Sequence, residues 1–122
     1  DEATLRRLYA AADLVLLPSR REPCGTAQLV AQRYGAAPVA RSVGGLADTI
    51  VDCDAALETG TGFLFDEDSA EALAAAMARG LAAYGSGAWA QLRRLIMRLD
   101  LGWDRPARRY LQIYRQTLGS AR

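Results

Sequence analysis

The sequence contains no histidine and no lysine, so arginine supplies all 15 basic charges. No histidine triad, histidine-based metal cluster or lysine Schiff base can be assembled from such a chain. Cysteine occurs only twice, at Cys24 and Cys53. Two such distant thiols make neither a disulfide framework nor a zinc knuckle, which points to a reducing compartment, the cytoplasm. No apolar run approaches the ~20 residues of a membrane helix, so no membrane partner is expected. The first residue is Asp1, not Met, and no basic leader with an apolar core precedes the first helical pattern. The expectation is a fragment of a longer protein without a secretory signal.

What is present is globular. The 122 residues are 51% hydrophobic and 24% charged, the size and composition of one domain. The net charge of +1 hides a segregation: residues 1–41 carry +2, residues 42–78 carry −8 and residues 79–122 carry +7. The near-neutral total gives no pull toward nucleic acid. The acidic middle and basic tail are expected to face each other, or something outside the chain.

The pattern along the chain alternates strand and helix. Residues 2–12 read as a helix with Leu5, Leu8 and Ala12 on one stripe and acids at its positive end. Leu14 to Leu17, a continuous apolar run stopped by Pro18, reads as a strand buried on both faces. Thr26 to Tyr34 reads as a helix ending at Gly35, and residues 38–40 as a second strand. Gly44-Gly45 reads as a break before a short helix or turn from Leu46 to Val51, and residues 62–65 as a third strand. Ser69 caps a helix to about Tyr84, Gly85-Ser86-Gly87 ends it, and residues 88–99 form another. Asp104 is expected to cap a last helix with Ala107, Tyr110, Leu111 and Tyr114 on its stripe. The fold class is therefore α/β: part of a doubly wound parallel sheet over residues 1–68, followed by C-terminal helices over 69–122.

Chemistry concentrates in the loop after the first strand. In doubly wound sheets ligands lie beyond the carboxyl ends of the strands. Ser19 to Gly25 leaves such an end and runs into a helix whose first amides lack intrahelical partners. Gly25 permits close approach of the backbone, and Glu22 brings a carboxylate beside this anion-friendly turn. A carboxylate for hydroxyls next to amides for a diphosphate suits a nucleotide sugar.

The run Pro18-Ser19-Arg20-Arg21-Glu22-Pro23-Cys24-Gly25-Thr26-Ala27-Gln28-Leu29 resembles the donor-site signature of bacterial glycogen synthases and plant starch synthases. The resemblance continues through Tyr34-Gly35, Pro38-Val39, Val43-Gly44-Gly45-Leu46-Ala47-Asp48-Thr49 and Gly62-Phe63-Leu64-Phe65. It implies the B-type glycosyltransferase fold, two Rossmann-like domains across a cleft. It also implies transfer of glucose from ADP-glucose or UDP-glucose to the non-reducing end of an α-1,4-glucan, with retention and without metal or cofactor. By this resemblance Glu22 is the catalytic carboxylate. Cys24, Gly25 and Thr26 bind sugar and pyrophosphate, and Gly44 and Gly45 line the same cleft. The acceptor side belongs to an N-terminal domain absent from this chain, so the isolated chain is expected to be inactive. Four positions depart from the family pattern: Thr26-Ala27 replaces Leu-Thr, Val43 replaces Thr, and Val30 stands where related transferases carry a ribose-binding Glu.

Other readings stay open. The protein could be another B-type retaining transferase, or a non-catalytic module binding a nucleotide sugar or a partner. The arginines of the last two helices could form a nucleic-acid patch, although solvated helix faces are the simpler account. Asp52-Cys53-Asp54 mimics a metal-binding Asp-x-Asp, and Trp89 and Trp103 could stack on glucan, but the apolar stripe assigns Trp89 to the core. If the sheet continues in a missing half, the strand at 14–17 should present an unpaired edge.

Overall fold

The computed structural model describes residues 1–119. Helix α1 (Glu2–Ala11) leads to strand β1 (Leu14–Leu17), helix α2 (Ala27–Arg33), strand β2 (Ala37–Arg41), helix α3 (Gly44–Thr49) and strand β3 (Phe63–Phe65). Three helices follow: α4 (Ala70–Tyr84), α5 (Trp89–Met97) and α6 (Asp104–Gly119). The strands form one parallel sheet in the order β1-β2-β3, with Leu14 opposite Ala37 and Val39 opposite Phe63. Parallel pairing requires crossovers, which α2 and α3 provide. Both crossovers step the same way along the sheet, so right-handed connections lay them on one face.

The ends of these elements follow local chemistry. The Asp1 carboxylate accepts the Thr4 amide at 2.8 Å and opens α1. At the end of α2, Gly35 N–H donates to Gln32 O and Ala36 N–H to Ala31 O, a Schellman closure. Ser69 Oγ accepts the Ala72 amide at 3.1 Å and opens α4.

One face of the sheet carries most of the core. Ala37, Val39, Phe63 and Phe65 pack against Ala76 and Ala83 of α4 and against Trp89, Leu92 and Ile96 of α5. On the opposite face Ala40 meets Leu46 and Ile50. Trp89 is thus a core residue, edge-on to Tyr84 with ring centroids 5.4 Å apart. Trp103 is 78% exposed.

The charged segments meet through Arg79 on α4. Its guanidinium donates to the Asp52 carboxylate at 2.8 Å, to Cys53 O at 2.8 Å and to Leu64 O at 3.2 Å, and it lies 5.7 Å above the Phe63 ring. Arg20 pairs with Asp68 at 3.1 Å.

Three expectations are corrected. Strand β1 is not buried on both faces: Leu16 is 44% exposed, because β1 is an edge strand while α4 covers β2 and β3. Its outer edge pairs with nothing among the described residues. Gly44-Gly45 does not break the chain but opens α3, since a left-handed Gly44 turns the backbone directly into a helix. Asp104 lies inside the first turn of α6, and Ala107 N–H donates to Trp103 O one residue earlier. Apart from these corrections, the stripes of α1 and α6 contain no buried residue. No other element of the described chain covers them.

Candidate functional site

The C-terminal ends of β1 and β2 bring together the two sequence blocks on which the candidate site depends. Leaving β1, Ser19 Oγ donates to Glu22 Oε2 at 3.3 Å and orients the half-buried carboxylate. The backbone then turns through Gly25 at φ +68° and enters α2 behind its cap Thr26. A Cβ on Gly25 would sit 3.1 Å from Glu22 Cγ, so the acid's side chain lies over the glycine. The amides of Cys24, Gly25 and Thr26 precede the helical ladder of α2, and those of Ala27 to Leu29 lack an intrahelical acceptor.

The second block closes on the first from β2. Gly45 N–H donates to Glu22 O at 2.9 Å. Gly44 has φ +46°, and a Cβ there would fall 2.1 Å from Glu22 O. A Cβ on Gly45 would fall 1.8 Å from Cys24 O. Only glycine fits either position, because two backbones touch there. Twenty residues apart in sequence, the 22–25 turn and the 44–45 turn form one continuous lip. Glu22, Cys24, Gly25, Thr26, Gly44 and Gly45 all lie on it.

Other residues reinforce the lip. Arg41, at the end of β2, donates to Arg20 O at 3.3 Å and to Asp66 O at 3.1 Å, bridging the loops after β1 and β3. Gln28, fully buried on α2, donates to Gly25 O at 3.3 Å and to Thr49 Oγ1 at 3.0 Å. Sequence reasoning gave neither residue a role. The readable signal was Gln28 and Gln32 flanking Ala31 on the face α2 buries, a polar pair where apolar residues are usual.

Two distractors dissolve. Asp52 is engaged by Arg79 and by the Leu64 amide at 2.7 Å. Asp54 faces its own loop, where the Thr59 hydroxyl and the Glu58 and Thr59 amides hold its carboxyl below the usual range. No cluster of three or more metal-ligating side chains occurs among the described residues. Of the thiols, Cys24 is exposed on the lip, whereas burial pushes Cys53 up to about 11. A groove of about 840 Å³ between α1, α2 and residues 99–102 reaches Thr26 and Ala27 but not Glu22, Gly44 or Gly45. The lip itself is open.

Comparison with known proteins agrees with this architecture. Residues 1–87 match the family model of glycosyl transferases group 1. The chain belongs to that family. The glycogen synthase of Desulforudis audaxviator is 47% identical over 115 residues, covering 93% of this chain and 23% of that protein. The glycogen synthase of Leptothrix cholodnii is 48% identical over 121 residues, covering 95% of this chain and 24% of that protein. The catalytic domain of starch synthase IV from Arabidopsis thaliana, bound to ADP and acarbose, superposes with a TM-score of 0.88 at 34% identity. That match covers 98% of this chain and 25% of that one. Sucrose-phosphate synthase from Thermosynechococcus elongatus superposes with a TM-score of 0.69 at 31% identity, over 98% of this chain and 29% of that one. The group 1 glycosyltransferase chain described here therefore spans about a quarter of the length of its curated relatives. No helix among the described residues is long and apolar enough to cross a membrane.

Proposed function

We propose that the chain is the C-terminal part of a glycogen (starch) synthase and forms half of its donor site, within one partial nucleotide-sugar-binding domain. In this reading the intact cytoplasmic protein transfers glucose from ADP-glucose or UDP-glucose to the non-reducing end of an α-1,4-glucan with retention. The acceptor binds to an N-terminal domain outside the chain. The observation that carries the reading is the contact of the two glycine turns around Glu22, where Gly45 N–H meets Glu22 O at 2.9 Å.

The chemistry follows from what the lip presents. The Glu22 carboxylate, with one oxygen held by Ser19, accepts hydrogen bonds from donor hydroxyls. Its negative charge also lies beside the sugar carbon that becomes oxocarbenium-like as the bond to the diphosphate stretches. Amides from Cys24 to the first turn of α2 point at the leaving diphosphate and offset its growing charge without reorganising. Gly44 and Gly45 let the second turn pack directly against the backbone of Glu22 and Cys24 and so hold the carboxylate's turn in place. The family likeness to proteins named glycogen synthase supports glucose and glucan as the substrates.

The test is Glu22→Gln in the full-length protein. Turnover should fall about 10²- to 10³-fold, the range for loss of one transition-state contact, with the melting temperature unchanged. Unchanged turnover would leave only a binding module. A second reading, a B-type transferase with a different acceptor, is favoured by the likeness to sucrose-phosphate synthase. Glucose transfer to a phosphorylated sugar in preference to glycogen would select it.

A further inference from the structure

We propose that Gln28 and Thr49 are a positioning pair that sets the spacing of the two turns of the candidate donor site. The proposal rests on the reading of Glu22 given above and names residues that the reading does not use.

The pair completes a closed circuit of hydrogen bonds. Gln28 Nε2 donates to Gly25 O at 3.3 Å and to Thr49 Oγ1 at 3.0 Å. The Thr49 hydroxyl passes its own proton to Gly45 O at 2.5 Å. Gly45 N–H returns to Glu22 O at 2.9 Å, three residues before Gly25. Both turns are thereby anchored on both sides, one by backbone contact and the other by two side chains.

Burial makes the circuit demanding. Gln28 is 0% exposed, so its amide cannot exchange these partners for water. Its orientation is fixed by its partners: Gly25 O accepts only from the nitrogen, and Thr49 Oγ1 spends its proton on Gly45. The oxygen Oε1 has no partner and lies 2.9 Å from the point a Cβ on Gly25 would occupy. Gly25 is therefore required twice, for its left-handed turn and for the room it gives Gln28. Glu22 Cδ borders the same point at 3.2 Å, so displacement of Gln28 is felt at the carboxylate.

Thr49 is the better place to cut, because it is exposed and tolerates an isosteric change. In the 122-residue chain, Thr49→Val, which removes both hydrogen bonds of the hydroxyl, should make the Gly45 amide exchange hydrogen at least about tenfold faster, and Thr49→Ser should restore protection. Gln28→Glu, which keeps the shape but removes the donor, should have the larger effect. Unchanged Gly45 exchange in Thr49→Val overturns the pair. In the full-length protein, Thr49→Val should lower kcat about tenfold with little change in donor KM, and Thr49→Ser should recover it. Faster exchange with wild-type kcat also overturns the positioning role. A wild-type protein without glucosyl transfer discards the functional reading, and the exchange measurement still judges the pair.

Discussion

The lip around Glu22 and helix α6 were both plain in the sequence, yet the structure treats them oppositely. At the lip, backbones more than 20 residues apart touch, and Gly45 leaves no room for a methyl 1.8 Å from Cys24 O. Helix α6 has Leu111 51% and Tyr114 58% exposed, with no buried residue along Asp104–Gly119. Helix α5, with the same periodicity, buries Leu92 and Ile96. A periodic stripe reports that a helix can be amphipathic. Only an opposing surface turns that pattern into burial and stability.

Substitutions can break this contrast. The largest effect is expected for Gly45→Ala, which drives a methyl into the Cys24 carbonyl. It should cost roughly 4 kcal/mol or more in urea unfolding. Ile96→Ala, which empties a site of 0% exposure on α5, should cost about 2–5 kcal/mol by the same measurement. Arg79→Ala removes the bonds to Asp52, Cys53 O and Leu64 O on a half-exposed side chain, and about 1–2 kcal/mol is expected. The smallest effect belongs to Leu111→Ala on α6, within about 0.5 kcal/mol. A cost at Leu111 equal to that at Ile96 would mean that α6 is covered in solution, and the contrast would fail.

The two thiols sharpen the same comparison by pH. Cys24 should react with a thiol reagent in the native protein, and Cys53 only on unfolding. Burial lifts Cys53 from 9.0 to about 11, so the folded state holds this proton more tightly than the unfolded state. Its contribution to stability is complete below pH 9 and declines as pH rises toward 11. A melting temperature that rises over that interval in wild type, but not in Cys53→Ala, would contradict this assignment.

Legibility followed the range of the interactions. Strand β1, the Gly35 end of α2 and the Ser69 cap of α4 depend on neighbours a few residues away, and their residue types announce them. The exposure of Leu16 does not, because it depends on which strand lies at the edge of the sheet. Glu22, Gly25, Gly44 and Gly45 stood out as a motif, but their contact was invisible in one dimension. Gln28 and Thr49 were quoted in the same blocks without a role, since their partners are each other and two backbone carbonyls.

The sequence by itself determined the alternation of strand and helix and the parallel α/β class, because propensity, capping and spacing are local. The tertiary structure decided that Gly44-Gly45 begins a helix against Glu22, that Arg79 takes up Asp52, and that the stripes of α1 and α6 remain uncovered. Each of those outcomes depends on two distant surfaces meeting, and no local preference encodes which surfaces meet.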